Sequence, residues 1–87
     1  MEANMAELEV GKVTHFFNKA NVAGIKLSGQ LSVGDTIHIL GHTTDLTETV
    51  DSMQVEHESV QTAGSEAEIG LKVDEHVREH DTVYLVK

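Results

Sequence analysis

Apolar and polar residues alternate in short runs along this chain, and no window longer than ten residues carries the 3.6-residue period of an amphipathic helix. That pattern constrains the chain to an all-β fold. Strands are expected near Glu9–Phe17, Val22–Leu27, Thr36–Leu40, Glu48–Val55, Glu68–Val73 and Thr82–Val86. Ala23, Ile25 and Leu27 share one face, as do Ile37 and Ile39, and likewise Ile69, Leu71 and Val73. The sequence has no proline, so every strand keeps its full set of backbone donors. Six short strands separated by turn-like segments predict a six-stranded antiparallel β-barrel, whose closure removes open edges. The expected core is Val13, Ile25, Leu27, Ile37, Ile39, Val50, Met53, Ile69, Leu71, Val83 and Leu85. A change of apolar face between Val50 and Met53 fits either a β-bulge at Ser52-Met53 or a strand partly covered on both faces.

The densest turn signal lies in Leu31 to Gly41, LSVGDTIHILG. In Val33-Gly34-Asp35, glycine takes a positive φ at little cost and aspartate bonds back to the local backbone. Thr36 to Leu40 then alternates like a half-buried strand, and Gly41 ends it. Val10-Gly11-Lys12-Val13-Thr14 opens the first strand, and Val50-Asp51-Ser52-Met53-Gln54-Val55 sets a valine before a small residue and methionine. Ile69-Gly70-Leu71-Lys72-Val73 and Val77-Arg78-Glu79-His80-Asp81 follow. In this order the motifs resemble the second, β-barrel domain of the translational GTPases, the group of elongation factor Tu and the initiation factors. Within that group they look most like the small stand-alone elongation factor-like proteins. Ser65 and His80 stand where turn glycines are usual in that family.

The resemblance implies a non-catalytic, translation-associated binding module that meets another protein. It implies no GTPase activity, because the family's nucleotide chemistry lies in a different domain. The sequence agrees, having no GxxxxGK[ST] phosphate loop. It further implies a shallow pocket for the aminoacyl end of tRNA, at positions that fall on Ser52, Val55 and Glu68. The acidic, basic and amide side chains that serve elongation factor Tu there are all replaced, which argues against that mode of binding.

Eighty-seven residues make one domain, expected over residues 8–87 after a disordered stretch at residues 1–7. There is no cysteine, which excludes disulfides, cysteine-ligated metals and a cysteine nucleophile. No apolar run is long enough to cross a bilayer, and the acidic MEANMAELE start is unlike a signal peptide, so a cytoplasmic location is expected. Net charge is −9, with five acidic and three basic residues in 1–45 but ten and three in 46–87. Such a field favours a basic protein partner and works against unaided nucleic-acid contact. Two alternatives stand beside the first reading. One is a tRNA- or rRNA-binding module using Lys12, Lys19 and Lys26, which lie in the less acidic half. The other is a detached accessory domain of a separately encoded enzyme, since similar barrels are appended to enzymes that include the collagenase-like peptidases.

Six histidines invite a metal hypothesis. His38 and His42 are four apart, as are His76 and His80, a spacing that suits two ligands on a helix. Along a strand the same spacing spans roughly 13 Å, too far for one ion. His76 and His80 fall in an expected loop and are the weak metal candidates, with Arg78 between them unhelpful to a cation. Solvated histidines are the plainer expectation, and His15 reads as a satisfied barrel residue. No nucleophile elbow, HExxH or paired-carboxylate spacing occurs, so neither catalytic residues nor a cofactor is expected.

Overall fold

The computed structural model describes residues 7–86, and every regular element in them is a strand. There are ten: β1 (Glu7–Phe17), β2 (Val22–Leu27), β3 (Leu31–Ser32), β4 (Thr36–Leu40), β5 (Asp45–Thr49), β6 (Met53–Val55), β7 (Glu58–Val60), β8 (Thr62–Ala63), β9 (Glu68–Lys72) and β10 (Thr82–Val86). Eight form an antiparallel sheet in the order β5-β4-β10-β1-β2-β9-β6-β7, and β3 pairs with β8 in a separate ribbon. No helix of the described residues is long and apolar enough to cross a membrane.

Three expected strands, at Val22–Leu27, Thr36–Leu40 and Thr82–Val86, match residue for residue. The long one expected over Glu48–Val55 is broken, because Val50 leaves the ladder. Its N–H donates to Asp35 O at 2.8 Å, and its carbonyl accepts from Gly34 N at 2.9 Å. That break, rather than a bulge at Ser52-Met53, explains the change of apolar face. The bulges lie in β1, between Glu9 and Gly11 and between Val13 and His15. Residues 1–6 lie outside the described residues, while Glu7, expected in the disordered stretch, begins β1.

The expectation of a closed six-stranded barrel needs correction. The ladder is open, with β5 and β7 as its edges among the described residues. Only residues 50–52 separate β5 from β6, so the sheet must curl to bring its two ends near one another. The gap is spanned by the turn after β3, whose Val33 N–H donates to Gln61 O and Gly34 N–H to Val50 O, each at 2.9 Å. A turn fills the place where a barrel would carry a strand pair.

The inner face holds the core. Ten of the eleven expected core residues are buried, and Leu85 is half-buried against the cluster. Val10, Leu31, Val73 and Val77 join them at 2% exposure or less. Burying each such Val, Leu or Ile contributes roughly 1.5–3 kcal/mol.

Two turns repeat one device. In Ser32–Asp35, Asp35 N–H donates to Ser32 O at 3.1 Å, while Ser32 N–H donates to Asp35 Oδ2 at 2.9 Å. In Arg78–Asp81 the same two bonds are 3.1 and 2.8 Å. The third residue of each is left-handed, Gly34 at φ 98° and His80 at φ 77°. A third turn, Gly64–Ala67, closes by Ala67 N–H donating to Gly64 O, and its left-handed residue is Glu66 at φ 76° rather than Ser65. Asp81 is buried, and its carboxylate packs so close to Gly41 that an added Cβ there would overlap it.

Candidate functional site

Strands β1, β2, β9 and β6 turn Val13, Ile25, Leu71 and Met53 into the core, so the alternate residues face outward. The bulge at Thr14 sets His15, read from the sequence as a satisfied barrel residue, on that outer face, where it is exposed. His15 pairs with Gly24, Gly24 with Gly70, and Gly70 with Gln54. One row therefore crosses four strands with two glycines at its centre. To either side lie the flanking rows: Phe17–Val22–Lys72, two residues along each strand, and Lys12–Lys26–Glu68, two along β2 and β9 but three along β1 across its bulge. Side chains rise on both flanks and vanish in the middle. The result is a trough of about 650 Å³, within the range of small-ligand sites.

The trough is apolar at its β1 end and acidic at its β6 end. At the first, the His15 and Phe17 rings lie 4.4 Å apart beside Ala20 and Val22, and Phe17 is 52% exposed. At the other, Glu56, His57 and Glu68 line it, with no Lys or Arg. Neither Glu56 nor Glu68 belongs to an ion pair among the described residues. Glu56 and His57 form the two-residue turn between β6 and β7, with φ of 51° and 69°. Positive φ at both positions is the type I′ geometry that normally selects Asn-Gly, so this rim carries backbone strain of a kind that clusters at ligand clamps.

The two central glycines answer no need inside the chain. A Cβ on Gly70 would meet only Val22 Cγ1 at 3.5 Å, and one on Gly24 only Thr14 Oγ1 at 3.4 Å and His15 atoms beyond that. Both are ordinary contacts. Glycine within a strand costs roughly 0.5–1 kcal/mol relative to alanine, so this pair lowers stability without improving the fit of neighbouring side chains.

Elsewhere the structure separates what the sequence grouped. Lys12 and Lys26 are cross-strand partners, but Lys19 sits in the turn at the far end of the β1–β2 hairpin. Lys26 Nζ lies 3.7 Å from Glu66 Oε1, and Lys12 Nζ donates to Thr82 Oγ1 at 3.1 Å. The His76 ring lies 4.5 Å from the Phe16 ring, while His80 occupies its left-handed turn position. No group of three or more His, Cys, Asp or Glu among the described residues is arranged to hold a metal ion. Of Ser52, Val55 and Glu68, only Glu68 lines the trough.

One cluster escaped sequence reasoning. His38, on the outer face of β4, places Nε2 2.6 Å from Asp45 Oδ1 and Nδ1 2.9 Å from Glu7 Oε2. The bond to Asp45 raises its pKa above the ordinary histidine value; burial opposes the rise and Glu7 adds to it.

No protein-family model matches this chain. Over 82 residues, 93% of the chain, it is 44% identical to an uncharacterised protease of Methanocaldococcus jannaschii. Over 84 residues, 94% of the chain, it is 33% identical to a collagenase of Porphyromonas gingivalis. The chain spans about one fifth of the length of these curated relatives. Among solved structures, the C-terminal domain of a Geobacillus thermoleovorans protein described as a U32 peptidase superposes with a TM-score of 0.83. That match covers 98% of both chains at 14% identity. The selenomethionine form of the same domain gives 0.82, with 86% of this chain and 95% of that one covered.

These likenesses overturn the resemblance to the translational GTPases and, with it, the translation-associated and elongation factor-like readings. The motifs that carried them, a glycine-aspartate turn and short alternating strands, encode how an antiparallel domain turns its corners. The replaced pocket positions at Ser52, Val55 and Glu68 were the discordant sign. The relatives are named as a protease and a collagenase, and the matching fold is that of a U32 peptidase's C-terminal domain.

Proposed function

We propose that this chain serves as the accessory β-domain of a U32-type peptidase and does not itself cleave peptide bonds. The observation that carries the reading is the 44% identity across 93% of this chain, set against 20% of the protease it matches. The catalytic groups of such a protein belong to its other four fifths. The residues here support that division. His38, the histidine held by hydrogen-bonded carboxylates, spends both ring nitrogens on them and has none left to activate a nucleophile. The net charge of −9 supports a partner with a basic face. The reading keeps the cytoplasmic location expected from the sequence.

The test is complementation. A U32 peptidase lacking its own corresponding domain is assayed on gelatin and on a fluorogenic peptide, with and without this chain added. The chain alone is expected to cleave neither, and its addition is expected to restore cleavage. Hydrolysis by the chain alone, or no effect and no binding to the truncated enzyme, would reject the proposal.

A further inference from the structure

We infer that the glycine-floored trough binds an extended polypeptide segment bearing an apolar side chain and, about four residues away, an arginine. The trough crosses β1, β2, β9 and β6, three intervals of about 4.8 Å, or roughly 14 Å. An extended chain covers that distance in about four residues at ~3.3 Å each. The β1 end offers Phe17, His15, Ala20 and Val22 to an apolar side chain. The β6 end offers the carboxylates of Glu56 and Glu68, with no Lys or Arg among the lining residues. Lys26, the nearest base on that flank, lies against Glu66, and Lys72, on the other flank, is outside the lining. A guanidinium suits this end because its planar fork can bond two carboxylates at once. Gly24 and Gly70 leave the floor low enough for a peptide backbone to lie between the two ends. The strained turn at Glu56-His57 holds one acidic group at the rim.

This binding is independent of the peptidase reading and is tested on the chain alone. The isotope-labelled chain is titrated at low salt with the acetylated, amidated hexapeptide LAAARA. Comparison peptides carry citrulline in place of arginine, or place leucine and arginine side by side. Shifts are expected at His15, Gly24, Gly70 and Gln54, with the citrulline peptide at least about tenfold weaker. The adjacent-residue peptide is expected to bind more weakly than LAAARA. The double variant Glu56→Gln/Glu68→Gln should lose arginine selectivity. Gly70→Val should abolish binding while its thermal midpoint stays at or above that of the parent. That result separates a floor kept open for a ligand from one required by the fold. Equal affinity for the citrulline peptide, shifts confined to other acidic surfaces, or no saturation at millimolar peptide would overturn the inference. Gly70→Val binding as tightly as the parent would do the same.

Discussion

His38 and Asp45, on paired strands β4 and β5, meet through a 2.6 Å contact that closes one side of a carboxylate–imidazole–carboxylate bridge. Glu7, from β1, closes the other. A neutral imidazole has one N–H, so donation from both nitrogens requires the imidazolium. The bridge ties the first described strand to the edge hairpin across the outside of β10.

The sign of its pH dependence follows. A histidine whose folded pKa is raised contributes stability that is fully present below its unfolded value, near 6.5. That contribution is lost as pH rises through the folded value. His38→Gln is therefore expected to lower the melting temperature most at about pH 6, with the gap to the parent narrowing by about pH 8.5. Thermal melts of both proteins across that range check it. A gap that widens with pH counts against the bridge.

Glu48 also has a raised pKa in the folded state, but here the charged form is the one penalised. Partial burial comes first in raising its pKa, and Asp74 and Asp51 add repulsion, while the Asp74 N–H that donates to Glu48 Oε1 at 3.0 Å pulls it down. A raised acid is a cost to the folded state at neutral pH, relieved as pH falls through the folded value towards the unfolded one. Glu48→Gln keeps an acceptor for Asp74 and removes the charge. It is expected to raise the melting temperature at pH 7, with the advantage gone near pH 4, about the value of an ordinary glutamate. Paired melts at the two pH values decide it.

The left-handed turn residues offer a separate test. His80→Gly is expected to stabilise by about 0.5–1 kcal/mol, the relief of left-handed strain partly offset by glycine's freedom when unfolded. For a domain of this size that is roughly 2–8 °C in melting temperature. Gly34→Val, its counterpart in the twin turn, is expected to cost about 1–3 kcal/mol, because φ 98° is a conformation a β-branched residue resists. Urea unfolding of both variants measures the contrast.

Ile39 and Leu71 have no exposed surface. Replacing either by alanine is expected to cost about 2–5 kcal/mol through lost transfer energy and a residual cavity. Denaturant midpoints at unchanged slope would show the loss as stability alone.

What could be read from the sequence followed from alternation. Ile37 and Ile39, or Ile69 and Leu71, declare a buried face without knowledge of their partners. Strands too short to alternate, such as Leu31–Ser32 and Thr62–Ala63, declare nothing. The His38 bridge was hidden because its partners stand 31 and 7 residues away in the chain. The four-residue spacing of His76 and His80, by contrast, is visible in the sequence but brings together no site among the described residues. The trough was hidden for a similar reason. Gly24 and Gly70 are unremarkable singly, and only the register of β2 against β9 makes them one floor. Motif resemblance failed where motifs describe corners, and overall likeness across most of the chain succeeded.

Strand β10 joins two halves of the sheet, with β1 on one side and the β4–β5 hairpin on the other. On a ribosome, residues 82–86 emerge after both of the neighbours they unite. Until then the hairpin has no ladder partner, and β1 has one flank unsatisfied. Folding therefore waits for nearly the whole chain, and contacts as distant as Lys12 with Thr82 must close before the sheet is whole. Such non-local pairing places the chain among slow folders, roughly milliseconds to seconds. A nascent domain exposed for that long depends on its abundant negative charge to stay apart from its copies.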